Sequence, residues 1–177
     1  PNIGYVRRLM LAGLVDVVQP GEQVIQLDAD TTALSDGFIA SMSSALKVSG
    51  KETIVSPVLA WDTTGLNERT GHVIDHYTLT MNIYRLLHTQ YTFASEGACA
   101  IWLSDYIRAG GYHVDRRISE TYTLSREGNL RHYVASGTVA YSDPRRLVHA
   151  ISRGMLPNRS WDVSSPRDTS EIPIPFD

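Results

Sequence analysis

Cysteine is almost missing from this chain of 177 residues, which carries one thiol, Cys99. A single thiol excludes an internal disulfide framework and any zinc centre built on several cysteines, and it fits a reducing, cytoplasmic compartment. Lysine is nearly as scarce. Lys47 and Lys51 stand alone among 16 basic residues, and the others are arginines. With 19 acids the formal net charge is −3, so the cationic surplus expected of a nucleic-acid binder is absent. No apolar run approaches the roughly 18 residues that suggest a membrane span. The opening residues mix Arg7 and Arg8 into a helix-like pattern and do not read as a signal peptide. What is present, 42% hydrophobic and 20% charged, suits one globular domain with a sizeable core.

Apolar spacing predicts a helix over residues 3–18, then a short buried strand over 23–27 that ends at Asp28. Ser35 is placed to cap a helix running to about Val48. Residues 52–61 are rich in β-branched side chains and predict a strand, with Pro57 marking an edge or bulge. A polar loop follows at 62–71, then a helix over 73–89 and a short strand over 98–103. Gly110-Gly111 is a turn. A helix capped by Ser119 spans 119–129, a strand 138–142, and a helix opened by Pro144 reaches Gly154. Residues 157–177 are polar and proline-rich and read as an extended tail. This alternation predicts an α/β fold with a mixed, mostly parallel sheet and flanking helices.

The stretch VIQLDADTTAL, residues 24–34, sets two aspartates one residue apart at a strand's end. Open α/β sheets bind ligands at that end of their strands. In an extended segment Asp28 and Asp30 would point to one side, and two hard oxygens there suit Mg²⁺ or Mn²⁺ shared with phosphate. Two other accounts fit the same residues. LDADTT also matches the D-x-D-x-T pattern of haloacid-dehalogenase-type phosphatases, with Asp28 as nucleophile and Asp30 as acid and base. Acids that merely end a strand and solvate a turn are the third account.

Four further segments, in order, resemble the inverting family 2 glycosyltransferases of the GT-A fold. RLMLAGL (8–14) is similar to the family's A-L-N-A-G-L helix, with Leu11 where the asparagine belongs. EGACAIWLSDYIRAGGY (96–112) resembles a strand begun by glycine, a short helix, and a closing GG plus aromatic. ISETYTLSREGN (118–129) resembles I-S-E-D-x-D-L-S-x-R, and LRHYVASGTVAYSDP (130–144) the closing strand. The resemblance implies a GT-A-like, Rossmann-like domain over residues 1–156. Its activity would be metal-dependent transfer of a sugar from a nucleotide-diphosphate donor to an acceptor hydroxyl. Asp28 and Asp30 would hold Mn²⁺ or Mg²⁺, with Arg117 beside the diphosphate and Trp61, Glu96 and Gly97 on the acceptor side.

The chain departs from the family at several of these positions. The family's base aspartate is replaced in Ser119-Glu120-Thr121, which leaves Glu120 as the candidate base, and Thr123 stands at the next expected aspartate. Asp143 takes the place of a late histidine. The Gln-x-x-Arg-Trp motif is reduced to Ser152-Arg153-Gly154 and a distant Arg159-Ser160-Trp161. The family's first strand and loop, which hold the nucleotide base, have no counterpart before Pro1. A partial domain is therefore expected, its sheet completed by an upstream segment or a second copy, in a protein that could be membrane-associated in a longer form. These losses keep a non-catalytic binding or assembly module open as an alternative. The phosphatase alternative lacks its later lysine and its later acidic pair.

His72 and His76 share a metal-like spacing without a third ligand. The pairs Arg7-Arg8 and Arg145-Arg146 read as solvated faces, and Cys99 as an inert core residue.

Overall fold

The computed structural model describes residues 3–15, 17–87, 98–112 and 120–153. In chain order the elements are α1 (Ile3–Val15), β1 (Gln23–Leu27), β2 (Thr31–Leu34), α2 (Phe38–Ser49), β3 (Thr53–Trp61), α3 (Glu68–Leu87), β4 (Ala98–Trp102), α4 (Leu103–Arg108), α5 (Glu120–Glu127), β5 (Arg131–Ser142) and α6 (Arg145–Ser152). The proline-rich stretch 157–177, the Ser119 cap, Glu96, Gly97 and Arg117 lie outside the described residues.

The five strands form one mixed sheet in the order β1-β4-β3-β5-β2. The expected α/β class holds, but the expected mostly parallel sheet does not. Only β3 and β5 pair in parallel, whereas β1–β4, β3–β4 and β2–β5 are antiparallel. Helix–strand alternation identifies elements without fixing their direction, and β4 runs against both of its neighbours. Because β4 reverses between them, β1, β3 and β5 all point the same way.

Two apolar layers sandwich the sheet. On one face Phe38, Met42 and Leu46 repeat every four residues along α2, and all three are buried. They pack on Val55, Ala98, Ala100, Ala135 and Ala140, whose small side chains let the helix lie close. On the other face Leu11 of α1, Tyr106 of α4 and Leu124 of α5 pack with Ile54, Cys99, Ile101, Tyr112 and Leu130. The alternation along β4 divides it between the layers, with Cys99 and Ile101 on one side and Ala98 and Ala100 on the other.

The sheet cannot be flat. Residues 28–30 alone connect β1 at one edge to β2 at the other. Four chain steps span at most about 14 Å, whereas four flat strand spacings need about 19 Å. β3 and β5 lose register part-way along, and an insertion of that kind bends a strand. Ala135 faces Pro57, but Val139 faces Val58, so residues 136–138 are extra on β5. Pro57 thus marks a bulge, as expected.

Several local expectations changed. β2 (TTAL) falls between the first expected strand and Ser35, where no element was expected, because its four residues are too few to show a pattern. β5 begins at Arg131, seven residues earlier than expected, and α3 begins at Glu68 rather than 73. Ser35 is not the cap of α2. Gly37 takes that position at φ 67°, while the Ser35 hydroxyl accepts a hydrogen bond from the Val139 amide at 3.0 Å and ties β2 to β5.

Candidate functional site

Because β1, β3 and β5 run the same way, their carboxyl ends share one edge of the sheet. Each is followed at once by an acid: Asp28 after β1, Asp62 after β3 and Asp143 after β5. The Asp62 amide donates to Ser142 O and the Asp143 amide donates to Asp30 O, both at 3.0 Å. Backbone hydrogen bonds therefore hold Asp30, Asp62 and Asp143 beside one another.

Asp28 and Asp30 do not lie in an extended segment. The Thr31 amide donates to Asp28 O at 3.1 Å, closing a turn over residues 28–31. The two carboxylates accordingly have different surroundings. Asp28 continues the face of β1 that carries Val24 and Gln26 towards α1, and there it meets Arg7, whose Nη2 lies 2.5 Å from Oδ1. Arg7 is 5% exposed and Asp28 23%. Arg7 was expected on a solvated face; it is buried, because positions 7, 11 and 14 form the inward stripe of α1. Burial raises the Asp28 carboxyl above its ordinary value. Arg7 opposes that rise, nearby Asp30 adds to it, and Arg146 also opposes it.

Behind this pair the Arg7 guanidinium lies 5.8 Å from the Tyr112 ring centroid, and the Tyr112 hydroxyl donates to Gln26 Oε1 at 2.9 Å. Cys99 Sγ is 3.9 Å from the same hydroxyl, and burial pushes its thiol up to about 11, as befits an inert core cysteine.

The other acids differ from Asp30 in being occupied. Asp143 accepts from the Arg145 amide at 2.8 Å and pairs with Arg145 Nε at 2.6 Å, which starts α6 behind Pro144. Asp62 accepts from the Thr64 amide at 3.0 Å, and hydrogen bonding to Thr64 lowers its carboxyl below the ordinary value. The Asp30 carboxylate makes no hydrogen bond or ion pair among the described residues.

Trp61 is half-buried, its ring 5.7 Å from that of Tyr77 on α3. An open depression of about 350 Å³ is lined by Leu66, Pro144, Arg145, Val148, His149 and Ser152, and does not include Asp143. Glu120 opens α5, but its side chain lies outside the described residues. His72 sits exposed, 3.6 Å from Glu68.

Among the described residues no group of three His, Cys, Asp or Glu side chains is arranged to hold a metal, and no helix is long and apolar enough to cross a membrane. A chelate made by Asp28 and Asp30 together does not fit, since Asp28 is turned into Arg7. A cation held by Asp30 and by phosphate oxygens of a ligand does fit, because Mg²⁺ commonly needs only one or two carboxylates beside phosphate. Comparison with family models, with curated proteins and with solved structures finds no match to this chain.

Proposed function

We propose that the shared carboxyl edge of β1, β3 and β5 binds a nucleotide-diphosphate sugar, and that the chain transfers its sugar to an acceptor hydroxyl. The supporting observation is Asp30: of the acids gathered there, it alone has a carboxylate with no partner among the described residues. A carboxylate held beside a strand end and left open is suited to a cation brought in with a diphosphate. On this reading the fold is GT-A-like, Mn²⁺ or Mg²⁺ is bound by Asp30, and the ion supplies Lewis-acid neutralisation of the diphosphate. Asp28 serves as the anchor that, through Arg7, fixes the turn carrying Asp30. Asp143, committed to Arg145, is a poor choice of base, and Glu120 keeps that role from the sequence resemblance.

A second reading, a binding module without catalysis, is favoured by the neutralisation of Asp28 and Asp143 by arginines. The phosphatase alternative gains nothing, because its nucleophile Asp28 faces a buried guanidinium.

Calorimetric titration with UDP and GDP, with and without Mn²⁺, tests the proposal. Mn²⁺-dependent binding that Asp30→Ala abolishes is the expected result. Equal binding by Asp30→Ala, or none by the intact chain, would refute it. Binding without release of sugar from any nucleotide-diphosphate sugar would favour the non-catalytic module.

A further inference from the structure

β3 has a neighbour on each edge for only part of its length. Along one edge it pairs with β5 from Thr53 to Trp61. Along the other, β4 reaches only Ile54 and Val55. The N–H and C=O of one strand residue point to the same edge, and successive residues alternate. Val55, Pro57 and Leu59 therefore share an edge. Beyond Val55 that edge has no strand partner among the described residues, and an unpaired strand edge exposes polar groups that need satisfying.

Two side chains of α3 meet those groups. Asn82 Oδ1 accepts from the Leu59 amide at 3.0 Å, and Asn82 Nδ2 donates to Leu59 O at 2.7 Å. This reciprocal pair is what a residue of a neighbouring strand would provide. Arg85 Nη2 donates to Pro57 O at 2.9 Å and also to Ser56 Oγ, while its Nη1 donates to Asn82 Oδ1 at 3.1 Å. Proline at position 57 has no N–H and offers only its carbonyl, so it asks for a donor-only partner, which the Arg85 guanidinium is. The geometry explains the choice of residues. Positions 82 and 85 are about 4.5 Å apart along a helix, while Pro57 and Leu59 are about 6.6 Å apart along a strand, and the longer arginine side chain covers the difference. Both side chains are buried, Arg85 at 1% and Asn82 at 8% exposure.

We propose that Asn82 and Arg85 act as a substitute strand for the second half of β3, and so are positioning residues that hold Trp61 and Asp62 at the ligand edge. The inference rests on that edge being a ligand site. Tyr77, one turn or so earlier on the same helix, packs on Trp61 and extends the hold to the end of the strand.

The test compares the intact chain with Asn82→Leu, which removes both hydrogen-bonding groups at similar size, and Asn82→Asp, which keeps the acceptor for the Leu59 amide. Amide hydrogen exchange and Mn²⁺-dependent UDP titration are measured on each. Asn82→Leu should lower protection of the Leu59 amide about tenfold and weaken UDP binding about tenfold, with the amides of β4 unchanged. Asn82→Asp should keep Leu59 protected and hold affinity within about threefold. Undiminished Leu59 protection in Asn82→Leu would overturn the proposal, as would equal loss in the two variants or a matching loss across β4. If Asn82→Leu does not fold, Asn82→Asp decides: protection and affinity both kept support the proposal, and loss of either overturns it. If the intact chain binds no UDP, the functional reading fails, and Leu59 exchange still decides whether α3 replaces a strand.

Discussion

Pairing of Arg7 with Asp28 leads to a measurable dependence of stability on pH. Two unit charges about 4 Å apart attract by about 4 kcal/mol at an effective dielectric of about 20. Asp28 is 23% exposed, which reduces screening without removing it, and Arg7 is 5% exposed. We therefore expect a coupling of about 2–3 kcal/mol between the two side chains at neutral pH. The perturbations are Arg7→Met, Asp28→Asn and the double variant, combined as a thermodynamic cycle.

The sign of the pH effect follows from the carboxyl. In the folded chain Asp28 titrates above its ordinary value, chiefly because it is buried. The folded state then binds the proton more tightly than the unfolded state. As pH rises through the window from the ordinary to the raised value, ionisation of Asp28 counts against folding. Arg7 works against this penalty, so Arg7→Met moves the carboxyl higher still and deepens the loss at neutral pH. As pH falls below the raised value and Asp28 takes up its proton, the charge attraction disappears and the coupling should shrink towards zero. Arg7→Met should lower the melting temperature by about 5–10 °C at pH 7, whereas Asp28→Asn, which removes the carboxylate whose ionisation counts against folding, should lower it by much less. Thermal or urea unfolding of all four proteins at pH 7 and near pH 4 measures the cycle. A coupling below about 0.5 kcal/mol at pH 7, or one of equal size at both pH values, would refute the electrostatic account.

Three other expectations concern the core. Cys99 should resist a disulfide reagent at pH 8 in the folded chain and react only as fast as the chain opens, since burial lifts its thiol to about 11; complete labelling within a minute of mixing would contradict this. Gly128→Ala should destabilise by about 1–3 kcal/mol, because its new methyl group would stand 2.4 Å from Ala109 Cβ and 2.8 Å from Leu124 O; an unchanged urea midpoint would count against that packing. Met42→Ala should lose about 2–4 kcal/mol, since Met42 is wholly buried beneath α2; a loss under about 1 kcal/mol would mean that α2 lies less closely on its alanine floor.

The sequence made the strands visible where they are apolar and β-branched, as in residues 53–61, and made Pro57 a bulge. It did not show strand direction, because direction depends on which distant segment a strand meets, and periodicity carries no record of that. The acidic pair was legible as a strand end but not as a pair with divided roles. Its division depends on the turn at residues 28–31 and on Arg7, whose spacing with Leu11 and Leu14 already placed it on the inner stripe of α1. A charged residue on an apolar stripe is a signal for a buried partner, and the nearest acid beyond the helix on the same face of β1 was Asp28.

α3 defeats the same rule in the opposite sense. Its Leu79, Ile83 and Leu86 are 59%, 48% and 49% exposed, while Asn82 and Arg85 are buried. An amphipathic reading turns this helix the wrong way round, since it assumes that a helix packs against side chains. Here part of its contact is with a strand's backbone edge, and a backbone edge needs donors and acceptors rather than methyl groups. The buried guanidinium carries its own penalty. Desolvation lowers Arg85 to about 10, and no carboxylate among the described residues pairs with it. A charge kept inside at that expense, when the exposed leucines could have been turned inward, is explained by the carbonyl of Pro57 and the hydroxyl of Ser56, which no leucine could satisfy.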